Sequence, residues 1–388
     1  MDCMQTKNYP ENNMLDVTEN FDYSGQSEEY IRAYKKWRKN PDNPYAYNYI
    51  RNSNEITFSD SEGFIRTIPE EKEREVLTRV FYIFGTVLTL YLFTEFVISR
   101  IIVTLLDLIG INVHNSFLNY SFYGGQAEVM TVMIIVTLLK FCLPVLMLHK
   151  AIKMPVKASL PCKLQSGKDL FFCISLSLLV SVITSISRAY SDTTREYFSF
   201  FNSYSTEISL LNQSELVIYM FFDIVIVSIM SEILFRGIIF QTLRQFGDLY
   251  AVIVSSVFSA LISHDISMMP AVFAVSMIAS ISILRSGTVF TAISVRITNK
   301  IYLFSLTIIE LSFSDMNIKR SYFMVICFLT SLIIAFLIWK TMDNKIVLKK
   351  NTTTFLTAKQ KITMIFTTLP TFTVIFLCIT IIATNIFI

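Results

Sequence analysis

A glutamate and an arginine stand four residues apart in an almost unbroken apolar run, MSEILFRGIIF at Met230–Phe240. Residues at this spacing share one face of an α-helix, so Glu232 and Arg236 can pair along it. An ionisable side chain inside a membrane helix costs about 2.5–3.5 kcal/mol on insertion scales and usually marks a functional site. Ser231 lies about 100° around the helix from Glu232. The run therefore predicts a polar site within a membrane.

A histidine follows on the next apolar segment, at the end of SSVFSALISH. The two segments are joined by the short turn QFGD, so they form an antiparallel hairpin. At 1.5 Å per residue, Glu232 lies about 22 Å before the turn and His264 about 25 Å after it. We therefore expect the Glu232–Arg236 pair to face His264.

A third polar group lies in SVRITNKI, where Arg296 and Lys300 are four residues apart and Asn299 stands beside them. Two further cations in a membrane need anionic partners or water. The candidate anions are Glu232, Glu310 and Glu95. Asp223, nine residues before Glu232, is expected on the opposite side of its helix and facing another helix.

The composition places these groups in an all-α, polytopic helical membrane protein. The chain has 388 residues, of which 53% are hydrophobic, and its mean hydropathy is +0.53. Apolar windows close to the ~20 residues that span a bilayer recur from about residue 80 onward. The net charge of +3 gives no indication of nucleic acid as a partner. Six cysteines are scattered without a CxxC pair, which favours small buried hydrophobes over disulfides or metal ligands.

The chain divides into a polar tail, residues 1–78, and a transmembrane domain, residues 79–388. The tail is expected to be largely disordered, with one short solvated helix near 28–39 that could instead lie on an anionic membrane surface. The domain is expected to hold eight or nine membrane helices. The candidate spans are 80–109, 126–150, 169–188, 210–243, 249–265, 268–284, 287–312, 321–341 and 362–387. Lys and Arg in alternate loops predict a cytoplasmic N-terminus.

The three polar motifs resemble those of the CPBP family of intramembrane metalloproteases, which includes CAAX-prenyl proteases and bacterial Abi proteins of bacteriocin processing and immunity. That family carries EExxxR, FxxxH and HxxxN on consecutive core helices. SEILFRG, ALISH and RITNK are similar to them, and the resemblance covers about residues 165–305. It implies a CPBP-like core bundle, an integral protein of the bacterial plasma membrane, and metalloendopeptidase chemistry on prenylated or hydrophobic peptides.

The motif positions depart from the family pattern at the residues that handle water. Ser231 stands in place of the first glutamate, Arg296 in place of the second histidine and Lys300 in place of the asparagine. Glu232, Arg236 and His264 match their positions, and Asn299 lies one residue out of register. A catalytic zinc site needs about three protein ligands, which one carboxylate and one imidazole do not supply. We therefore expect no metal and no cofactor.

Three functions stay open from the sequence. The first is a catalytically impaired family member whose ion network serves a binding, immunity or scaffold role, with membrane lipid, a hydrophobic peptide or a membrane protein as partner. The second is an active intramembrane metalloendopeptidase using zinc or another divalent metal, with Glu232 and His264 as catalytic residues. The third is a transporter-like protein. Charged residues within the membrane would also suit a transporter, but the sequence shows no inverted repeat.

Overall fold

The computed structural model describes residues 15–51, 57–59, 63–65, 69–115, 122–163, 167–189, 213–264, 266, 268–312, 316–341 and 353–387. Three two-stranded antiparallel pairs lie at its periphery: β1 (Leu15–Asp16) with β2 (Ile50–Arg51), β3 (Thr57–Ser59) with β4 (Gly63–Ile65), and β5 (Val113–Asn115) with β6 (Phe122–Gly124). The other regular elements are helices, joined by turns and irregular segments. The helices are α1 (Glu28–Arg38), α2 (Pro69–Leu108), α3 (Gln126–Ile152), α4 (Val156–Ser159), α5 (Gly167–Ala189), α6 (213–244), α7 (Asp248–Leu261), α8 (Met269–Ser286), α9 (Val289–Ser312), α10 (Met316–Lys340), α11 (Ala358–Thr367) and α12 (Leu369–Phe387).

Within the described residues, six helices are long and apolar enough to cross a membrane: α2, α3, α5, α6, α8 and α10. A seventh span results if α11 and α12, bent by 78° at their junction, are taken together. The class, an all-α polytopic membrane protein, is thus confirmed. The count of eight or nine spans is not confirmed. One reason is that α7, which lies in a predicted span, has only 14 residues.

The helices pack into a bundle around α6, α7 and α8. Helix α7 packs along α8, α8 packs against α9 and α5, and α2 lies against α3 and α12. The main apolar core is formed by inward faces of α2, α6, α7, α8 and α9. Helix α10 packs on α5, and many of its large apolar side chains are exposed, as expected for a helix that faces lipid.

Three π-helical turns interrupt the regular helices in the described part of the chain. One, Thr94–Ile98, lies in α2, and two lie in α6, at Asp223–Val227 and Ile233–Ile239. A π turn takes one extra residue and therefore rotates everything beyond it around the helix axis, and such turns are frequent at functional sites. Each of the three carries one charged residue of the buried ion network: Glu95, Asp223 and Arg236 in turn.

Residues 15–51 pack onto the membrane helices, which differs from the expected solvated helix in a disordered tail. Tyr30 and Tyr34 of α1 have no exposed surface. Their hydroxyls donate to the side chain and the main-chain carbonyl of Gln241 at 2.8 and 3.0 Å. The indole of Trp37 donates to the Ile152 carbonyl at 3.0 Å. Aromatic residues with polar tips are suited to this buried docking, because the ring packs and the tip makes a hydrogen bond, whereas the sequence pattern predicts these residues in solvent or on a membrane surface.

The boundary between tail and domain also differs, because α2 begins at Pro69 inside the predicted tail. Tail residues 1–14, 52–56, 60–62 and 66–68 lie outside the described part of the chain.

Candidate functional site

Glu232 lies between two arginines at the centre of the bundle. Its Oε2 is 3.3 Å from Nε of Arg236, which is the ion pair predicted along the helix. Its Oε1 accepts a hydrogen bond from Nε of Arg296 on α9 at 3.0 Å. Arg296 also donates from Nη2 to Ser259 Oγ on α7, at 3.1 Å. The carboxylate, which has no exposed surface, is therefore engaged on both oxygens and links α6 to α9.

Lys300 of α9 pairs with Asp223 of α6, so a second ion pair joins the same two helices. Its Nζ donates to Asp223 Oδ1 at 2.6 Å and to the Asp223 carbonyl at 2.9 Å. The expectation that Asp223 lies opposite Glu232 is wrong. Nine residues of regular α-helix make about 2.5 turns, but the intervening π turn takes one residue more, so both carboxylates lie toward α9.

His264 pairs with Glu95 of α2, and not with Glu232 as expected from the hairpin. Its Nε2 lies 3.3 Å from Glu95 Oε2, and its ring makes an edge contact with Phe96 at 5.7 Å between centroids. The depth estimate assumed a helix running through residue 264. Helix α7 instead ends at Leu261, and His264 has left-handed backbone, with φ of 53°. This aims the ring at the π turn that carries Glu95.

Glu95 is joined to a third helix by Lys140, whose Nζ donates to Glu95 Oε1 at 2.9 Å. The contact of Glu95 with His264 was missed. The sequence indicates Glu95 only as a possible partner of Arg296 and Lys300. The side chain of Glu310, another candidate partner, lies outside the described part of the structure.

Ser231 and Asn299 are both buried beside this network. The Ser231 hydroxyl donates to the Ser228 carbonyl of its own helix at 3.0 Å, a common arrangement for serine in a membrane helix. The Asn299 Oδ1 has no hydrogen-bond partner among the described residues. Neither side chain contacts Glu232 through a hydrogen bond that the structure shows.

Several other buried polar atoms of the site are also without a hydrogen bond within the described residues. They include all three guanidinium nitrogens of Arg236 and the hydroxyls of Ser228 and Ser256. Leaving a buried donor unsatisfied costs about 1–3 kcal/mol, so native proteins show few such groups and each one calls for an explanation. The space between the motif helices therefore holds buried polar atoms that receive no hydrogen bond from the described residues around them.

The charges of the site do not fit a divalent metal ion. The network holds four cations, Arg236, Arg296, Lys300 and Lys140, against three carboxylates, Glu232, Asp223 and Glu95. A metal with a catalytic water needs about three protein ligands, and the described residues contain no group of three His, Cys, Asp or Glu that could hold one. The excess positive charge would also repel a cation.

The fold and the site together define a polytopic helical membrane protein with a buried ion network on consecutive helices. Residues 213–302 of this chain match the family described as "Type II CAAX prenyl endopeptidase Rce1-like". The matched segment runs from the start of α6 into α9 and contains all three motifs. It supports a membrane protein that is CAAX-protease-like in this core. Comparison with curated proteins gave no match, and comparison with solved structures gave none either.

Proposed function

We propose that this protein is a catalytically impaired relative of the CAAX proteases that acts as a binding, immunity or scaffold protein in the membrane. The observation that carries the proposal is the contact of Arg296 with Glu232. Arg296 occupies the position where the family motif has a metal-binding histidine. It places a guanidinium group on the carboxylate that would otherwise handle water.

The geometry leaves Glu232 little catalytic capacity. A general base needs an oxygen within hydrogen-bond reach of the proton that it takes. Here one oxygen accepts from Arg296, and the other lies against Arg236. Withdrawing the carboxylate would leave two guanidinium groups without a counter-charge in a buried site, which is strongly unfavourable.

The same contacts suit a brace between helices. The Glu232–Arg296 and Asp223–Lys300 pairs both join α6 to α9, and the Glu95–Lys140 pair joins α2 to α3. Buried ion pairs of this kind can fix the register of neighbouring helices. The extra positive charge would favour a partner with an anionic group, such as a hydrophobic peptide or a membrane protein with an exposed carboxylate.

A second candidate function, proteolysis, is favoured by the contact of His264 with Glu95. A carboxylate that orients an imidazole is a recurrent arrangement in enzymes that use histidine as a base. In this chain the carboxylate comes from α2, outside the motifs. Two contacts argue against this role. Glu95 is already paired with Lys140, and the hydroxyl of Ser231, beside Glu232, donates its hydrogen bond to a carbonyl of its own helix.

The two candidates are separated by the peptide termini that the protein produces in its membrane. Terminal-peptide mass spectrometry would compare cells with the native chain, Glu232→Ala, His264→Ala and the control Glu71→Ala, at equal abundance. Glu71 is exposed and distant in sequence from the motifs. We expect the same termini in all four. Termini that disappear in both site variants and persist in the control would refute the proposal and establish proteolysis.

A further inference from the structure

A group of exposed cations lies at the C-terminal end of α3, away from the ion network. His149, Lys150 and Lys153 line a shallow cavity, open to the surface, of about 540 Å³ together with Met154, Pro155 and Val156. All three basic side chains are exposed. Among the described residues, no carboxylate pairs with any of them. The neighbouring Lys157 differs, since it pairs with Glu29 of α1 at 2.9 Å.

The face of α3 changes from apolar to cationic within one turn. Leu146 is 64% exposed, and His149 and Lys150 follow it three and four residues later on the same helix face. Since α3 is long and apolar enough to span a membrane, its exposed leucine faces lipid tails and the basic residues fall at the level of the headgroups. The exposed Val156 and the ring of Pro155 form the apolar wall of the cavity.

Lys153 has an unusual backbone for a lysine. It caps α3 with a φ of 51°, in the left-handed region, and its N–H donates to the His149 carbonyl at 3.0 Å. Glycine is the usual residue at such a cap, because other residues are strained there. Strained backbone positions cluster at functional sites, so a lysine kept in this conformation indicates that its side chain has a function.

From these observations we propose that the end of α3 binds the phosphate headgroup of an anionic phospholipid. Lys150 and Lys153 would contact the phosphate, and the acyl chains would run along Leu146. Basic pockets at the end of a membrane helix recognise anionic headgroups through such charge complementarity. The site is independent of whether the motif helices are catalytic.

The test measures lipid retained by the full chain, purified in detergent and transferred to nanodiscs with equal phosphatidylglycerol and phosphatidylcholine. Native mass spectrometry would count the phosphatidylglycerol that stays bound. We expect Lys150→Gln with Lys153→Gln to lower its affinity by about fivefold for each lysine. The matched control is Lys340→Gln with Lys359→Gln, two exposed lysines outside the cavity, and it should leave retention unchanged. Equal losses in both double variants would overturn the proposal.

Two further arms make the result specific. Lys153→Gly should raise the melting temperature by relieving the cap, while it weakens lipid retention by about fivefold. Opposite signs for these two readouts support a binding role, and unchanged retention with raised stability would contradict it. Inorganic phosphate should not displace the lipid, because it lacks the acyl chains. Full displacement by phosphate would show a simple phosphate site and refute the lipid.

Discussion

Two fully buried arginines on one helix have opposite surroundings. Arg244, near the end of α6, donates from Nε to Asp248 at 2.8 Å and from Nη1 to the Tyr30 hydroxyl at 2.8 Å. Its guanidinium also lies over the rings of Phe21 and Tyr30, each at 5.6 Å. Arg236, two turns earlier, has the ion pair with Glu232 and lies over the ring of Phe235 at 5.8 Å, but its nitrogens make no hydrogen bond with the described residues.

The difference separates a completed structural contact from a polar site left incomplete. Arg244 is satisfied by Asp248 at the start of α7 and by Tyr30 of the N-terminal segment, which docks on the end of α6. Arg236 belongs to the first motif of the CAAX-protease-like core, and the described side chains around it do not satisfy its hydrogen-bond donors. Proteins tolerate unsatisfied buried groups mainly where function or bound water accounts for them. The motif interior is therefore where a role beyond stability should be sought.

The largest effect is expected from removing Arg296. Arg296→Ala leaves the buried Glu232 with one counter-charge, and breaking a buried ion pair costs about 3–5 kcal/mol. Adding Glu232→Ala should recover part of this loss. Thermal unfolding in detergent of the two single variants and the double variant completes the cycle. Losses that simply add would show that the two residues do not interact.

A pair of methionine substitutions tests the comparison itself. Arg244→Met removes hydrogen bonds to a charged group and should cost about 2–3 kcal/mol of unfolding free energy. Arg236→Met should cost less than Arg244→Met, because the Arg236 guanidinium makes no hydrogen bond with the described residues and Glu232 keeps the hydrogen bond from Arg296. Melting temperatures measured side by side decide the matter. A larger loss from Arg236→Met would mean that its surroundings satisfy it after all.

A smaller effect is expected from Tyr30→Phe, which removes one hydroxyl between α1 and α6. That hydroxyl donates to Gln241 and accepts from Arg244, so its loss should cost about 1–2 kcal/mol. Limited proteolysis of residues 15–51 reports the release of α1. Tyr45→Phe serves as the control, since Tyr45 is only partly buried and contacts the core through its main-chain carbonyl. Equal protease sensitivity of both variants would contradict the docking described for Tyr30.

The docked segment should also loosen in alkali. Burial raises the pKa of Tyr30 and of Tyr23 to about 12, above the value near 10 of an exposed tyrosine. The folded state thus favours the neutral phenol, and this contribution is complete below pH ~10 and lost as pH rises through about 12. Fluorescence of Trp37 at increasing pH would follow the release. A transition that is unchanged when Tyr23 and Tyr30 are both replaced by Phe would exclude these phenols as its cause.

The sequence predicted the membrane class, the motif ion pair and Glu232 as a candidate partner of Arg296, but not the partners of Lys300 and His264 across helices. Glu232 and Arg236 are four residues apart on one helix, so their contact depends only on local geometry. The positions of Asp223 and His264 depend on a π turn and on where α7 ends, and neither has a signal in residue spacing. The docking of α1 was missed because its aromatic face fits a membrane surface and a protein surface equally well.

The most direct test of the central proposal is the metal content of the native protein. Full chain purified without chelators would be analysed for zinc and other divalent metals, beside Glu232→Ala and His264→Ala. A triple variant, Ser231→Glu with Arg296→His and Lys300→Asn, returns the family residues and serves as the positive control. We predict no stoichiometric metal in the native protein. About one metal ion per native chain, lost in both alanine variants, would contradict the account and establish a metalloprotease site.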